Sequence, residues 1–333
     1  MTSVPDTLGR PLHDLRVSVT DRCNFRCRYC MPAEEFGPDH AFLPRSEILS
    51  FEEIVRLARI GAGLGVRKLR LTGGEPLLRR GIEDLVAMLA TVEGIADLAL
   101  TTNGTLLAHH AEALALAGLS RVTVSLDALD AGVFARMNGV GARVDRVLAG
   151  ISAARAFGLP VKVNTVVQRG VNEDQVLPLA RWAREQGITL RFIEFMDVGE
   201  TNAWDQRQVV AAEEIIAGLR EHFDLEAIER SEPAATALRW RHADGSAELG
   251  IIASITRPFC RDCTRLRLSA DGKLFTCLFA GHGHDLRPLL RGGAEDSLVR
   301  NTLAALWSAR DDRYSEVRGE SPGHKAEMSY LGG

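Results

Sequence analysis

Residues 14–30 read Asp14-Leu15-Arg16-Val17-Ser18-Val19-Thr20-Asp21-Arg22-Cys23-Asn24-Phe25-Arg26-Cys27-Arg28-Tyr29-Cys30. A short apolar strand, Leu15–Val19, runs directly into a loop that carries three cysteines in the spacing C-x3-C-x2-C. Three thiolates are one short of the four that saturate a zinc ion or an iron–sulfur cube. A centre with three protein ligands keeps a coordination position open for chemistry. Loops at the C-terminal ends of strands are also where α/β barrels carry their active sites. The same shortage recurs far along the chain, where Cys260, Cys263 and Cys277 form C-x2-C-x13-C, and these six are all the cysteines present. Two such triplets predict an enzyme with two reactive metal centres.

Outward from this stretch, a pattern of apolar strand, loop and amphipathic helix repeats as far as Met196. The further strands expected are Lys68–Leu71, Leu98–Thr101, Arg121–Leu126, Val161–Val167 and Leu190–Phe195. Phe51, Ile54, Val55 and Ala58 form a helical stripe, with Ser50 and Glu53 spaced as a capping box. Further stripes are Ile82, Leu85, Val86 and Leu89, then Val144, Val147, Leu148 and Ile151, then Ile215, Ile216, Leu219 and Phe223. Asn172 is expected to cap a helix bearing Val176, Leu179, Ala180 and Ala183, although Pro178 conflicts with helix near its start. Six strand–helix units in succession imply a parallel sheet.

Parallel strands covered on both faces should be continuously apolar. Here Thr123 and Ser125 alternate with Val122 and Val124, and Lys162 and Asn164 with Val161 and Val163. Such a polar set suits the inside of a curled sheet that encloses a polar ligand; a sheet edge open to water is the alternative. After residue 224 the pattern changes. Leu225–Ile228, Leu238–Arg241 and Glu248–Ile252 resemble short antiparallel strands, Leu266–Leu268 and Leu274–Cys277 flank an Asp271-Gly272 turn, and a helix is expected around Ser297–Ser308. The chain therefore divides into segments 1–224 and 225–333.

The formal net charge of -4 over 333 residues argues against nucleic acid as a partner. Met1–Pro11 lacks the pattern of a signal peptide, and no apolar run reaches the roughly 18 residues of a membrane span. A cytoplasmic location is expected, with no membrane contact. In that reducing compartment clustered cysteines read as metal ligands rather than disulfides.

Thr72-Gly73-Gly74-Glu75-Pro76 follows the second strand, at the same end of the sheet as the first triplet. Its glycines allow close backbone approach to a ligand, and Glu75 offers an acceptor for an ammonium group. C-x3-C-x2-C with Tyr29 before the last cysteine, followed by this loop, resembles the radical S-adenosylmethionine (radical SAM) superfamily. Leu100-Thr101-Thr102-Asn103-Gly104, Val124-Ser125-Leu126-Asp127, Phe192-Ile193-Glu194-Phe195-Met196, Cys260-x2-Cys263-Thr264-Arg265-Leu266-Arg267 and the terminal Gly332-Gly333 are similar to one of its families in particular, the GTP 3',8-cyclases. The likeness covers nearly the whole chain and is weakest at residues 1–10, 230–246 and 310–327.

The resemblance implies an α/β fold: an incomplete (β/α)6 TIM-like barrel of the radical SAM type, its open side closed by a C-terminal α+β segment. It implies two 4Fe-4S clusters with three cysteine ligands each, Cys23, Cys27 and Cys30 for one and Cys260, Cys263 and Cys277 for the other. Tyr29, Gly74, Ser125 and Met196 would contact S-adenosylmethionine. Arg16, Arg70, Thr101, Lys162, Arg265 and Arg267 would contact GTP, the last two pointing to one side of a strand as residues two apart do. Gly332 and Gly333 would reach into the active site, needed for catalysis. An external electron donor and hand-over of the product to a cyclic pyranopterin monophosphate synthase are implied too, for a monomer or homodimer. Two other readings remain open on the residues alone: a different radical SAM enzyme with an auxiliary cluster, such as a peptide maturase, and a zinc-stabilised binding module. In either metal-bound case His282 and His284 are candidates for a fourth ligand at the second site.

Overall fold

The computed structural model describes residues 4–229, 234–319 and 323–332. The six expected strands are β1 (Asp14–Ser18), β2 (Lys68–Thr72), β3 (Asp97–Thr102), β4 (Arg121–Ser125), β5 (Val161–Val167) and β6 (Thr189–Glu194). They pair in chain order and all in parallel. Parallel neighbours need crossovers, supplied by α1 (Phe51–Gly63), α2 (Ile82–Ala90), α3 (Leu107–Leu116), α4 (Ala131–Asn138), α5 (Val144–Ala156) and α6 (Val176–Gln186), with α7 (Ala212–Arg220) after β6.

The capping box at α1 is formed: Ser50 Oγ accepts from the Glu53 amide at 3.2 Å, and Glu53 Oε2 accepts from the Ser50 amide at 2.7 Å. Pro178 lies in the first turn of α6, where amides have no intrahelical partner, so the helix tolerates it. Asn172 differs from expectation and caps nothing. Its buried amide donates instead to the carbonyls of Asp127 and Val166, both at 2.8 Å, tying the end of β5 to the loop after β4.

The second segment supplies β7 (Leu225–Ile228), β8 (Leu238–His242) and β9 (Glu248–Ile252) as an antiparallel meander. It also supplies β10 (Arg265–Leu268), β11 (Lys273–Phe275) and β12 (His284–Asp285), likewise antiparallel among themselves. Unforeseen in the sequence is how these runs attach: β9 joins β6 in parallel and β10 joins β1 in parallel. The order across the sheet is β12-β11-β10-β1-β2-β3-β4-β5-β6-β9-β8-β7. Segments 1–224 and 225–333 thus share one sheet, an incomplete (β/α)6 barrel with both edges extended by the later segment.

One face of this sheet is a continuous apolar layer under the helices. Leu15, Val17, Leu69, Leu71, Leu100, Val122, Val124, Val163, Leu190, Phe192 and Ile251 are all essentially inaccessible there. Each such side chain contributes roughly 1.5–3 kcal/mol of burial. The alternate positions form the other, polar face, and the register aligns Arg267, Arg16 and Arg70 in one row and Thr101, Thr123 and Lys162 in another. The polar set is therefore the inside of the curl, not an open edge.

Residues 310–319 and 323–327 lie along the open side. Arg310 donates to the Cys263 carbonyl at 2.7 Å near the start of β10, and Lys325 Nζ to the Asp197 carbonyl at 2.9 Å beyond the end of β6. At that end Glu194 is fully buried and accepts from the amides of Ala212 at 2.8 Å, Ile255 at 2.7 Å and Thr256 at 2.9 Å. It locks α7 and the chain after β9 onto β6. Glu194→Ala leaves these amides without an acceptor at about 1–3 kcal/mol each where buried, so a loss of about 2 kcal/mol or more is expected in urea denaturation.

A cavity between two cysteine triplets

All six cysteines line one cavity of about 270 Å³ inside the curl. The first triplet follows β1 and so lies at the C-terminal ends of the parallel strands. Cys263 precedes β10, which is parallel to β1 with Arg265 opposite Asp14, so the second triplet lies at the other end. The strand residues between them make the wall.

The first loop is shaped by its own backbone and by Arg26. Amides of Cys30 and Met31 donate to the Cys27 carbonyl at 3.0 and 2.8 Å. The Arg26 guanidinium donates to the carbonyls of Cys23, Phe25 and Phe36 at 2.6–2.8 Å, holding the loop from behind. Gly73 and Gly74 press against this loop: a Cβ on Gly73, whose φ is +141°, would stand 2.4 Å from the Thr20 carbonyl, and one on Gly74 2.2 Å from that of Arg22. The close approach these glycines permit here is to the cysteine loop's own backbone.

Glu75 departs from the simplest expectation of a free acceptor. It is buried and accepts from Thr102 Oγ1 at 2.7 Å, the Asn103 amide at 2.7 Å and the Leu77 amide at 3.0 Å. Burial pushes its carboxyl up to about 7 against those bonds. Tyr29 lines the cavity and donates to Asp127 Oδ2 at 2.7 Å. Asp127, pushed up to about 6 by burial, also accepts from the Val166 amide at 2.9 Å. Gly74, Ser125, Met196 and Thr101 are in the wall as well. Burial raises the thiols of Cys23, to about 11, and of Cys27 and Cys30, with nearby carboxylates or thiols adding to it.

The second triplet is held by residues to which the sequence assigned no role. Asp6 is fully buried between Arg10 and Arg310, and Arg310 Nη1 stands 3.2 Å from its Oδ2. Arg10 donates onward to the carbonyls of Cys260 at 2.7 Å and Asp312 at 2.8 Å. Arg310 donates to those of Cys263 at 2.7 Å and Thr276 at 3.0 Å. Burial raises the Cys263 thiol, but Arg265 and Arg310 override it and hold the group near 6; burial and Asp312 push Cys277 up to about 12. His282 and His284 are exposed and lie outside the cavity wall. Among the described residues no three His, Cys, Asp or Glu side chains converge on a single-ion site.

Arg16, Arg70, Arg265 and Arg267 line the cavity, and among the described residues none forms an ion pair with a carboxylate. Burial lowers Arg16, Arg70 (to about 9) and Arg267, and neighbouring arginines lower them further. Arg70 donates to Thr101 Oγ1 at 3.2 Å, Arg265 sits 5.0 Å from the Phe259 ring centroid, and Arg267 donates to the Gly332 carbonyl at 2.7 Å. Lys162, lowered to about 8 by burial and then by Arg191 and Arg121, is on the inner face but not in the cavity wall. Gly333 lies outside the described residues. Asn103 and Asp127 fall in stretches the sequence had marked, yet only the fold reveals their partners. No helix among the described residues is long and apolar enough to cross a membrane.

Comparison with known proteins supplies the context. Residues 17–183 match the family model for the radical SAM superfamily, and residues 188–316 the model "Molybdenum Cofactor Synthesis C". The chain is 52% identical to the GTP 3',8-cyclase of Acidothermus cellulolyticus over 358 residues, covering 99% of each, and 47% identical to that of Staphylococcus carnosus over 336 residues, again covering 99% of each. Among solved structures, Streptococcus suis SuiB bound to S-adenosylmethionine shares the fold, with a TM-score of 0.64 at 15% identity over 96% of this chain and 77% of that one.

Gly74→Ala is expected to displace the Thr20–Arg22 backbone. In metal-free protein, maleimide should then label Cys23, Cys27 and Cys30 faster while Cys260, Cys263 and Cys277 react as before. Equal acceleration at both triplets would contradict this account of the glycine.

Proposed function

The chain belongs to the radical SAM superfamily and, within it, to the GTP 3',8-cyclase family, and from that premise we propose how its cavity performs the cyclisation. The activity is conversion of GTP to (8S)-3',8-cyclo-7,8-dihydroguanosine 5'-triphosphate, the first step of molybdenum cofactor biosynthesis. A hydrogen atom leaves ribose C3' for the 5'-deoxyadenosyl radical, a C3'–C8 bond forms, and one electron plus one proton complete the product.

The observation that carries the assignment is a single cavity with a cysteine triplet at each end and, between them, four arginines that form no ion pair among the described residues. Cys23, Cys27 and Cys30 would hold one 4Fe-4S cluster, and Cys260, Cys263 and Cys277 a second; each donor set is soft, three in number and open-sided. Bound there, the first cluster would supply the electron for cleavage of S-adenosylmethionine, and the second would offer a site for the guanine. Tyr29, fixed by Asp127, and Gly74, Ser125 and Met196 line the first end, where S-adenosylmethionine would lie. Arg16, Arg70, Thr101, Arg265 and Arg267 face the middle and second end, which suits a triphosphate; Lys162 would act from the same inner face. The wall around these groups excludes water, and it fixes C3' against the radical. No side chain is needed as a general base for hydrogen abstraction.

Electrons would come from an external one-electron donor, and the product would pass to a cyclic pyranopterin monophosphate synthase, in a cytoplasmic setting that keeps the clusters intact. The full-length relatives favour this reading over both a peptide maturase and a zinc module.

Protein purified without oxygen should carry iron rather than zinc, and with reductant and S-adenosylmethionine should form 5'-deoxyadenosine in a GTP-dependent manner. Zinc, or two clusters with no GTP dependence, would sink the assignment. Arg265→Ala should weaken GTP binding about 10- to 150-fold, the worth of a charge-assisted hydrogen bond of about 1.5–3 kcal/mol, while uncoupled cleavage of S-adenosylmethionine survives. Unchanged GTP binding in a titration would count against Arg265.

Lys162 titrates near 8 in the free protein, so it loses its charge as pH rises past that point. A triphosphate nearby favours the charged form, so binding above pH 8 takes up a proton and affinity falls with rising pH. Calorimetry at pH 8.5 in buffers of different ionisation enthalpy should register that uptake, and Lys162→Met should reduce it, leaving any share from Arg70. No uptake in the unaltered protein would remove Lys162 from the site.

A further inference from the structure

The C-terminal tail crosses the cavity mouth and is pinned on both sides. On the β6 side, Glu327 accepts from the Glu200 amide and Thr201 Oγ1, each at 2.9 Å. On the β1 side, five strands away across the sheet, Ser18 Oγ donates to the Tyr330 carbonyl at 3.1 Å. Between these points Leu331 is fully buried. Gly332 has φ +68°, and a Cβ there would stand 2.2 Å from Thr72 Cγ2, so only glycine fits that corner. Its carbonyl is the group that Arg267 holds.

The Tyr330 side chain turns away from the cavity. Its hydroxyl donates to Asp271 in the β10–β11 turn, its ring meets Phe275 edge-on at 5.9 Å, and Lys273 Nζ lies 5.7 Å from the ring centroid. Asp271 is itself held by Ser269 Oγ at 2.6 Å and faces Lys273 Nζ at 3.3 Å. The turn is thus a prepared socket. β10 carries Arg267 three residues before that turn begins to reverse, so one short hairpin holds both the latch and the cavity group that the tail meets.

We propose that Tyr330 is a positioning residue: its bond to Asp271 latches the tail across the mouth and so sets the Gly332 carbonyl on Arg267. Arg267 then serves the tail and the substrate's phosphates from one guanidinium, whose several N–H groups suffice for both. A latched tail keeps the mouth shut while the radical exists; an unlatched one lets the radical be lost without cyclising GTP. This rests on the cyclase reading, although the docking itself does not.

Tyr330→Phe removes the hydroxyl and keeps the ring on Phe275. In metal-free, ligand-free protein, amide hydrogen exchange at residues 328–331 should quicken by about tenfold, the factor an ordinary lost hydrogen bond produces. In the reconstituted enzyme the ratio of 5'-deoxyadenosine to cyclised product should rise, with GTP affinity and melting temperature unchanged. Glu327→Gln, which loosens the opposite pin, should move both readouts the same way. Unchanged exchange and coupling in Tyr330→Phe would overturn the latch. So would a joint fall in melting temperature and GTP affinity, which would make Tyr330 an ordinary packing residue. If the unaltered protein gave no GTP-dependent product, the cyclase reading would fail, and the exchange measurement would still decide the latch.

Discussion

One buried carboxylate organises the second half of the site. Asp6, with no exposed side-chain surface, lies between the guanidinium groups of Arg10 and Arg310. A buried pair that loses one member costs about 3–5 kcal/mol, because the remaining charge stays behind unpaired. Here one carboxylate serves two arginines, which also donate to the carbonyls of Cys260, Cys263, Thr276 and Asp312. Residues ahead of the first strand therefore fix the backbone beside all three cysteines of the second triplet. The Thr264 carbonyl also accepts from the amides of His13 and Asp14, at 3.3 and 3.0 Å, which starts β10 in register beside β1. Without this junction the arginines of β10 would have no fixed place in the cavity.

The polar inner face then becomes intelligible as an unfinished electrostatic structure. Four arginines face the cavity with no carboxylate paired to them among the described residues, and burial together with mutual repulsion lowers the affinity of several for their protons. Such an interior is costly until an anion enters it, since desolvated charges of one sign repel and lack their water. Outer ion pairs such as Arg121–Asp97, at 2.6 Å, show that the fold supplies carboxylates where only structure is served. The carboxylates that do line the cavity, Glu75, Asp127 and Asp312, form no ion pair with these four arginines among the described residues, which would leave the compensation to a ligand.

How much of this the sequence discloses depends on whether a feature is local. The two triplets, the Ser50–Glu53 capping box and the alternation in β4 and β5 are periodic or spaced patterns, and all are readable from neighbours along the chain. The attachment of β9 to β6 and of β10 to β1 is not, because a run of four or five residues carries no mark of its partner. Asn172 has the residue type of a cap, yet two buried carbonyls outbid the helix end for its amide. Arg10 and Arg310 are separated by most of the chain, and each looks like a surface charge until the fold encloses it with Asp6.

The two ends of the cavity differ in a way that matches the different work asked of them. Around Cys23, Cys27 and Cys30 the influences beyond burial are largely negative, from Glu75 and Asp127, and they raise the thiols. Around Cys263 two guanidinium groups outweigh burial and favour the thiolate. Burial and these negative neighbours both favour the protonated thiols at this end of the metal-free protein. At the second end only Cys263 is drawn toward the thiolate, since burial and Asp312 raise Cys277. The asymmetry is set by carboxylates in the loops after β2 and β4 at one end and by arginines at positions 265 and 310 at the other, so a single channel holds two open sites with opposite electrostatic character.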